Sequence, residues 1–177
     1  MCRLAQTLDV AAKPHRMIEI APFSSTFQAD VIDVILPIQR EEFGFPSAIE
    51  NQPDLLDIPN FYQPGAGGFW IALDGGRVVG TIALRDIGNL NGALRKMFVR
   101  ATHRGKEYSV AGQLLGHLVE ASKGRLSNIF LGTTERYLAA HRFYEKNGFT
   151  RIPDSALPAT FPRVAASTRF YQLKVPD

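Results

Sequence analysis

The runs FWIAL (69–73) and RVVGTIALRDI (77–87) are separated only by Asp74, Gly75 and Gly76. A parallel neighbour needs a long crossover, whereas an Asp-Gly-Gly turn supplies the positive backbone angles of a tight hairpin. The two runs are therefore predicted to be antiparallel partners. A second turn at 89–92 introduces NGALRKMFVR (91–100), so three antiparallel strands follow one another. The period then changes. In SVAGQLLGHLVEAS (109–122), Ala111, Leu114, Leu115, Leu118 and Val119 recur at i, i+3, i+4, i+7 and i+8, the pattern of one buried helical face.

The remaining segments fit around this centre. MIEIAPF (17–23) reads as an opening strand. Ser24 or Ser25 then caps a helix through TFQADVIDVILPIQREEF, with a break or kink at Pro37. The Pro- and Gly-punctuated stretch 46–68 is predicted to form one or two short helical turns and a loop. SNIFLGT (127–133) is a strand, 133–149 a helix, and FTRIP with STRFYQLKV (167–175) the last two strands. The order is β, α, α, three strands, α, β, α, two strands, an α/β sandwich around a mixed sheet. Residues 1–15 are expected to be a loosely ordered extension, and 16–177 a single domain.

Composition narrows the function. Twenty basic and 17 acidic side chains give a net charge of +3, spread along the chain rather than clustered, so no nucleic-acid partner is expected. Cys2 is the single cysteine, which excludes an internal disulfide and a cysteine-ligated metal cluster. His15, His103, His117 and His141 lack metal-ligand spacing, and no metal is expected. No apolar run approaches the roughly 20 residues of a membrane span, and the first 15 residues lack a secretory leader's apolar centre. No membrane partner and a cytoplasmic location are expected.

Two stretches carry chemistry. The first, ATHRGKEYSVAGQLL, joins a strand to a helix N-terminus, where unpaired backbone N–H groups and the helix dipole favour an anion. Arg104 and Lys106 add charge, and Gly105, Ser109 and Ala111 permit close backbone approach; a basic surface turn is the plain alternative. The spacings of a nucleotide P-loop and of a dinucleotide fingerprint are both missing. The second is AAHRFYEKNGF (139–149), with Tyr137, Ala140, His141 and Tyr144 on one helical stripe and a stop at Asn147-Gly148-Phe149. Such a stripe suits a packed core, and the stop needs no function.

Together, the RGKE-x-(small)-VA-x-x-LL loop and the AAHRFYEKNGF tail resemble the GNAT superfamily of N-acetyltransferases over residues 17–175. Lys106 stands where that loop motif has Gln or Arg, and Ser109 where it has its first Gly. The resemblance implies a mostly antiparallel central sheet flanked by helices, with a V-shaped splay between central strands that admits acetyl-CoA as co-substrate. Met97, Phe98 and Val99 would pair with the pantetheine arm. Arg104, Gly105, Lys106, Glu107, Tyr108, Ser109, Val110 and Ala111 would surround the pyrophosphate. Tyr144 would serve as general acid or hydrogen-bond donor beside the thioester sulfur, with Tyr137 and Ala140 lining the site; Tyr137 replaces a common Asn.

The acceptor is expected to be a small-molecule or peptide amine, in a ternary complex. A CoA-binding sensor without turnover is the alternative. Glu41, Glu42, Glu50 and Asp54 read as solvated surface charges rather than as the base. Phe43, Phe45, Phe61, Tyr62 and Trp70 are candidates for the acceptor wall. Edge strands leave a homodimer open.

Overall fold

A computed structural model describes residues 17–107 and 109–177; the extension 1–15, with Cys2, and Tyr108 of the basic loop lie outside the described residues. The strands are β1 (Glu19–Pro22), β2 (Gly68–Asp74), β3 (Arg77–Asp86), β4 (Asn91–Val99), β5 (Asn128–Thr133), β6 (Thr150–Ile152) and β7 (Arg169–Lys174). They form one sheet in the order β1-β2-β3-β4-β5-β7-β6. The expected run of three antiparallel strands is its centre. β4 and β5 form its parallel pair, and that pair is brief: Asn91, Gly92 and Ala93 meet Asn128, Ile129 and Phe130. Beyond it the strands diverge, each still held by its outer neighbour. The apex is tied by amides, since Asn128 donates to Asn91 Oδ1 at 3.0 Å and accepts from Gln172 at 2.8 Å.

Helices cover both faces. α4 (Val110–Ser122) presents the predicted stripe, with Leu114 and Leu118 fully buried against β2 and β3. Gly80 on β3 lets it come close, because a Cβ there would meet Val110 Cγ1 at 3.0 Å and Leu114 Cδ1 at 3.1 Å. On the other face lie α1 (Gln28–Pro37), α2 (Pro53–Leu56) and α3 (Ile58–Tyr62), packed around Phe69, Ile71 and Ala83. Ser24 precedes α1 by a turn of tight helix at 25–27, and its side chain makes no cap bond. Pro37 does not end the helix. Its missing N–H shifts the ladder, and a π-helical turn over Ile38–Glu42 follows, closed by Phe43 N–H on Ile38 O at 3.2 Å.

α5 (Leu138–Lys146) is shorter than its pattern predicts. Tyr137, at φ −94° and ψ 67°, stands just outside it rather than on the stripe. Tertiary bonds hold the preceding turn: Thr133 O accepts from Thr168 N–H at 2.9 Å, and Thr168 Oγ1 accepts from Glu135 N–H at 3.1 Å. His141 fixes the same turn from within the helix. Its Nε2 donates to Thr134 O at 2.9 Å and its Nδ1 accepts from Arg169 at 2.9 Å, which makes it a buried positioning group.

The C-terminus of α5 is a Schellman motif. Phe149 N–H bonds Tyr144 O at 3.1 Å, Gly148 N–H bonds Glu145 O at 3.2 Å, and Gly148 takes φ +87°. The accompanying apolar contact is Phe149 edge-on to Tyr144, ring centroids 5.4 Å apart. Gly148→Ala should therefore lower stability by about 1 kcal/mol, from the cost of a left-handed alanine. A reduced chemical-denaturation midpoint at unchanged slope is the expected reading.

Candidate active site

The divergence of β4 from β5 opens a cavity of about 250 Å³, lined by Leu94 to Phe98 on one side and by Leu131 to Thr134 on the other. Tyr137, Ala140 and Tyr144 close its end, Gln39, Phe43 and Phe45 form a wall, and Val164, Ala166 and Ser167 cover it. The π-helical turn delivers that wall. Phe43 stacks on Tyr137 with centroids 4.3 Å apart and leans on Phe98 at 6.1 Å. Tyr137 is thus an aromatic lining residue. Of the other expected wall residues, Tyr62 is core, Phe61 lies under Arg85 at 4.9 Å, and Trp70 packs on His117.

A β-bulge aims the β4 side. Thr81 faces Phe98 and Ala83 faces Arg95, so Lys96 and Met97 together oppose Ile82. Lys96 adopts φ +49°, unusual for a long side chain. Thr81 Oγ1 donates to Lys96 O at 2.7 Å. The Lys96 ammonium reaches Asp54 at 3.0 Å and Gln52 Oε1 at 2.6 Å, and Gln52 in turn donates to Gln39 at 2.7 Å. Tyr62 adds a hydroxyl bond to Asp54. Asp54 was expected at the surface; it is instead 7% exposed, the anion under the bulge. Burial above all pushes Lys96 below the ordinary lysine value, with Asp54 opposing.

The backbone of β4 divides its duties. Arg100 N–H bonds Val79 O at 2.8 Å and Gly80 faces Val99, so Val99 turns its own N–H and C=O toward the splay. Phe98, one residue back, turns its backbone to β3 and gives the cavity its ring. Val99 O already accepts from Arg104 Nε at 2.8 Å.

Arg104 is committed further, since both terminal nitrogens bind Glu42, at 2.7 and 2.8 Å. It braces the loop against the π-helical turn rather than standing free. Lys106 and Glu107 are exposed, and Gly105 takes φ +100°. Ser109, in the motif's glycine position, adopts the left-handed conformation at φ 49° and ψ 29°, with its hydroxyl on Lys106 O at 3.0 Å. The first α4 ladder bond is Gln113 N–H to Ser109 O, which leaves the N–H groups of Val110, Ala111 and Gly112 facing outward. That arrangement suits a pyrophosphate, and the free edge of β4 suits an extended amide-bearing arm. The residues present fit CoA.

Tyr144 stands between the strands with its ring buried and its hydroxyl 3.6 Å from Met97 Sδ. A thioether is a weak acceptor, so this O–H is scarcely engaged. Burial raises the phenol well above its ordinary value of 10.0. Among the described residues no cluster of His, Asp and Glu is placed to hold a metal ion, and no helix is long and apolar enough to cross a membrane.

Comparison with known proteins agrees with this geometry. The model of the acetyltransferase (GNAT) family matches residues 32–149, and the chain belongs to that family. A GNAT-family acetyltransferase from Staphylococcus aureus Mu50 superposes with a TM-score of 0.84 at 33% identity, covering 90% of this chain and 99% of that one. The Danio rerio N-acetylaspartate synthetase is 35% identical over 127 residues, 68% of this chain and 44% of that protein. The Xenopus tropicalis protein of the same name is 40% identical over 103 residues, 56% of this chain and 37% of that protein. The chain thus spans less than half the length of these curated relatives. An N-acetylglutamate synthase from Neisseria gonorrhoeae, solved with coenzyme A and N-acetylglutamate, shares the fold at a TM-score of 0.69 and 16% identity, over 91% of this chain and 36% of that one.

Removing Asp54 leaves a buried ammonium without its anion. Asp54→Ala should cost about 3–5 kcal/mol, whereas Asp54→Leu combined with Lys96→Met should recover most of that loss. Urea denaturation of the single and double variants checks this pair.

Proposed function

We propose that this chain is an acetyl-CoA-dependent N-acetyltransferase that passes the acetyl group directly to the amine of a small molecule within a ternary complex. The observation that carries the reading is Tyr144, a buried phenol at the end of the splay whose hydroxyl, among the described residues, meets only a methionine sulfur. The neutral amine nitrogen attacks the thioester carbonyl, the carbon–sulfur bond breaks, and the proton shed by the acylated nitrogen ends on the departing sulfur. Tyr144 donates a hydrogen bond to the sulfur as negative charge gathers there. Full proton transfer from an ordinary phenol to a thiolate is uphill by roughly 2 kcal/mol, from pKa values of about 10 and 8.5. The raised Tyr144 makes it steeper, so donation without transfer fits better.

The outward N–H groups at the start of α4 and the outward backbone of Val99 support a cofactor laid along β4. The relatives named N-acetylaspartate synthetase support a small molecule as acceptor rather than a peptide.

Acetyl-CoA and CoA, but not ATP or NAD, should raise the melting temperature. At about 100 times the dissociation constant the gain is roughly 2.7 kcal/mol, or roughly 5–10 °C for a domain of this size. Absence of any shift would sink the reading. Tyr144→Phe should lower kcat by roughly 100-fold while the acetyl-CoA shift persists. A cofactor sensor would show the shift with no thiol released by the wild type, and stopped-time thiol assays separate the two.

A further inference from the structure

The charges lining the cavity are all of one sign. Arg95 and Lys96 contribute to the wall, and no aspartate or glutamate does. The Lys96 charge is answered from behind by Asp54 at 3.0 Å. Arg95 has no hydrogen-bond or ion-pair partner among the described residues. Its charge is nevertheless felt nearby. Lys96 is pushed down by burial first, then by Arg95, against the pull of Asp54. The neighbouring Arg85 is occupied on the Phe61 ring at 4.9 Å, outside the cavity lining. Arg95, Lys96 and Asp54 therefore leave one positive charge without an answering anion, carried by Arg95.

Its place on β4 separates it from the cofactor's phosphates. The basic loop follows Val99, Met97 lies beside Tyr144, and Arg95 lies on the far side of both. Four residues of strand put Arg95 roughly 13 Å from Val99. An anion bound there belongs to the acceptor.

We propose that Arg95 recognises a carboxylate on the acceptor, so that the substrates of this site are amines bearing an acidic group. The inference rests on the N-acetyltransferase reading above. A guanidinium offers two parallel N–H donors to a carboxylate, and partial burial strengthens the pair. The same charge acts on the nucleophile. It disfavours an ammonium in the cavity and so promotes the neutral amine that attacks. It also repels diamines and polyamines, whose second charge would face Arg95.

The test compares three acceptors: an amino acid with a single carboxylate, its carboxamide, which has none, and an aliphatic diamine. Thiol release measures turnover. The wild type should favour the acid over the amide by roughly 10- to 100-fold in kcat/KM, the range of a charged hydrogen-bonded pair. Arg95→Gln should erase that ratio, chiefly through KM, while the acetyl-CoA melting shift remains. Arg95→Lys should restore part of it. Equal rates for acid and amide in the wild type, or a ratio that survives Arg95→Gln, would overturn the proposal. If the diamine is the best acceptor, the N-acetyltransferase reading stands and the carboxylate site falls. If acetyl-CoA gives no shift and no amine releases thiol, both fall together. Should Arg95→Gln fail to fold, the wild-type ratio and Arg95→Lys still decide.

Discussion

The site depends on one residue held in an unfavourable backbone conformation. A left-handed lysine costs about 1–2 kcal/mol, and β4 accepts that cost at Lys96 to insert one extra residue against Ile82. Because side chains alternate along a strand, a single insertion exchanges the faces of everything beyond it. Without it, the residue facing Tyr144 would turn to the opposite side of the sheet. The hydroxyl of Thr81 and the carboxylate of Asp54 hold the bulge from two directions. The second of these ties it to α2, and through Gln52 to Gln39 on the wall. Cavity wall, bulge and cofactor edge are thus one mechanical unit.

This arrangement explains which parts were legible in the sequence. The hairpins, the change of period at 109 and the stop at Gly148 are written in adjacent residues, and the structure contains all three. The bulge is not, because Lys96 owes its conformation to Thr81 and Asp54, residues 15 and 42 positions away (96 − 81 and 96 − 54). For the same reason Asp54 resembles a surface charge until its partner is known. Tyr137 failed its helical stripe because Thr168, far along the chain, takes hold of the turn before α5. Ser109 is a different case. The motif asks for glycine, and serine takes the glycine conformation with a local bond from its own hydroxyl.

Packing and chemistry at Tyr144 do not compete. Its ring is the apolar partner of Phe149 in the helix stop, and that contact fixes where the helix ends. Fixing the end of the helix fixes the phenol against the splay. The hydroxyl then needs no strong partner of its own, and among the described residues it has none beyond Met97. His141 works on the adjoining turn, joining α5 to Thr134 and to Arg169. A helix anchored at both ends by such contacts presents its functional atom with little freedom.

The separation of β4 from β5 has a consequence for life in a crowded solution. Unpaired strand edges recruit other chains, and proteins usually protect them at the rim of a sheet. Here an unpaired stretch lies in the middle, beginning just past the pairing of Ala93 with Phe130. The approach of a foreign strand is obstructed by the aromatic wall, by the end of α5 and by the segment bearing Val164 and Ser167. The residues that enclose the cavity therefore also obstruct strand addition at this inner edge.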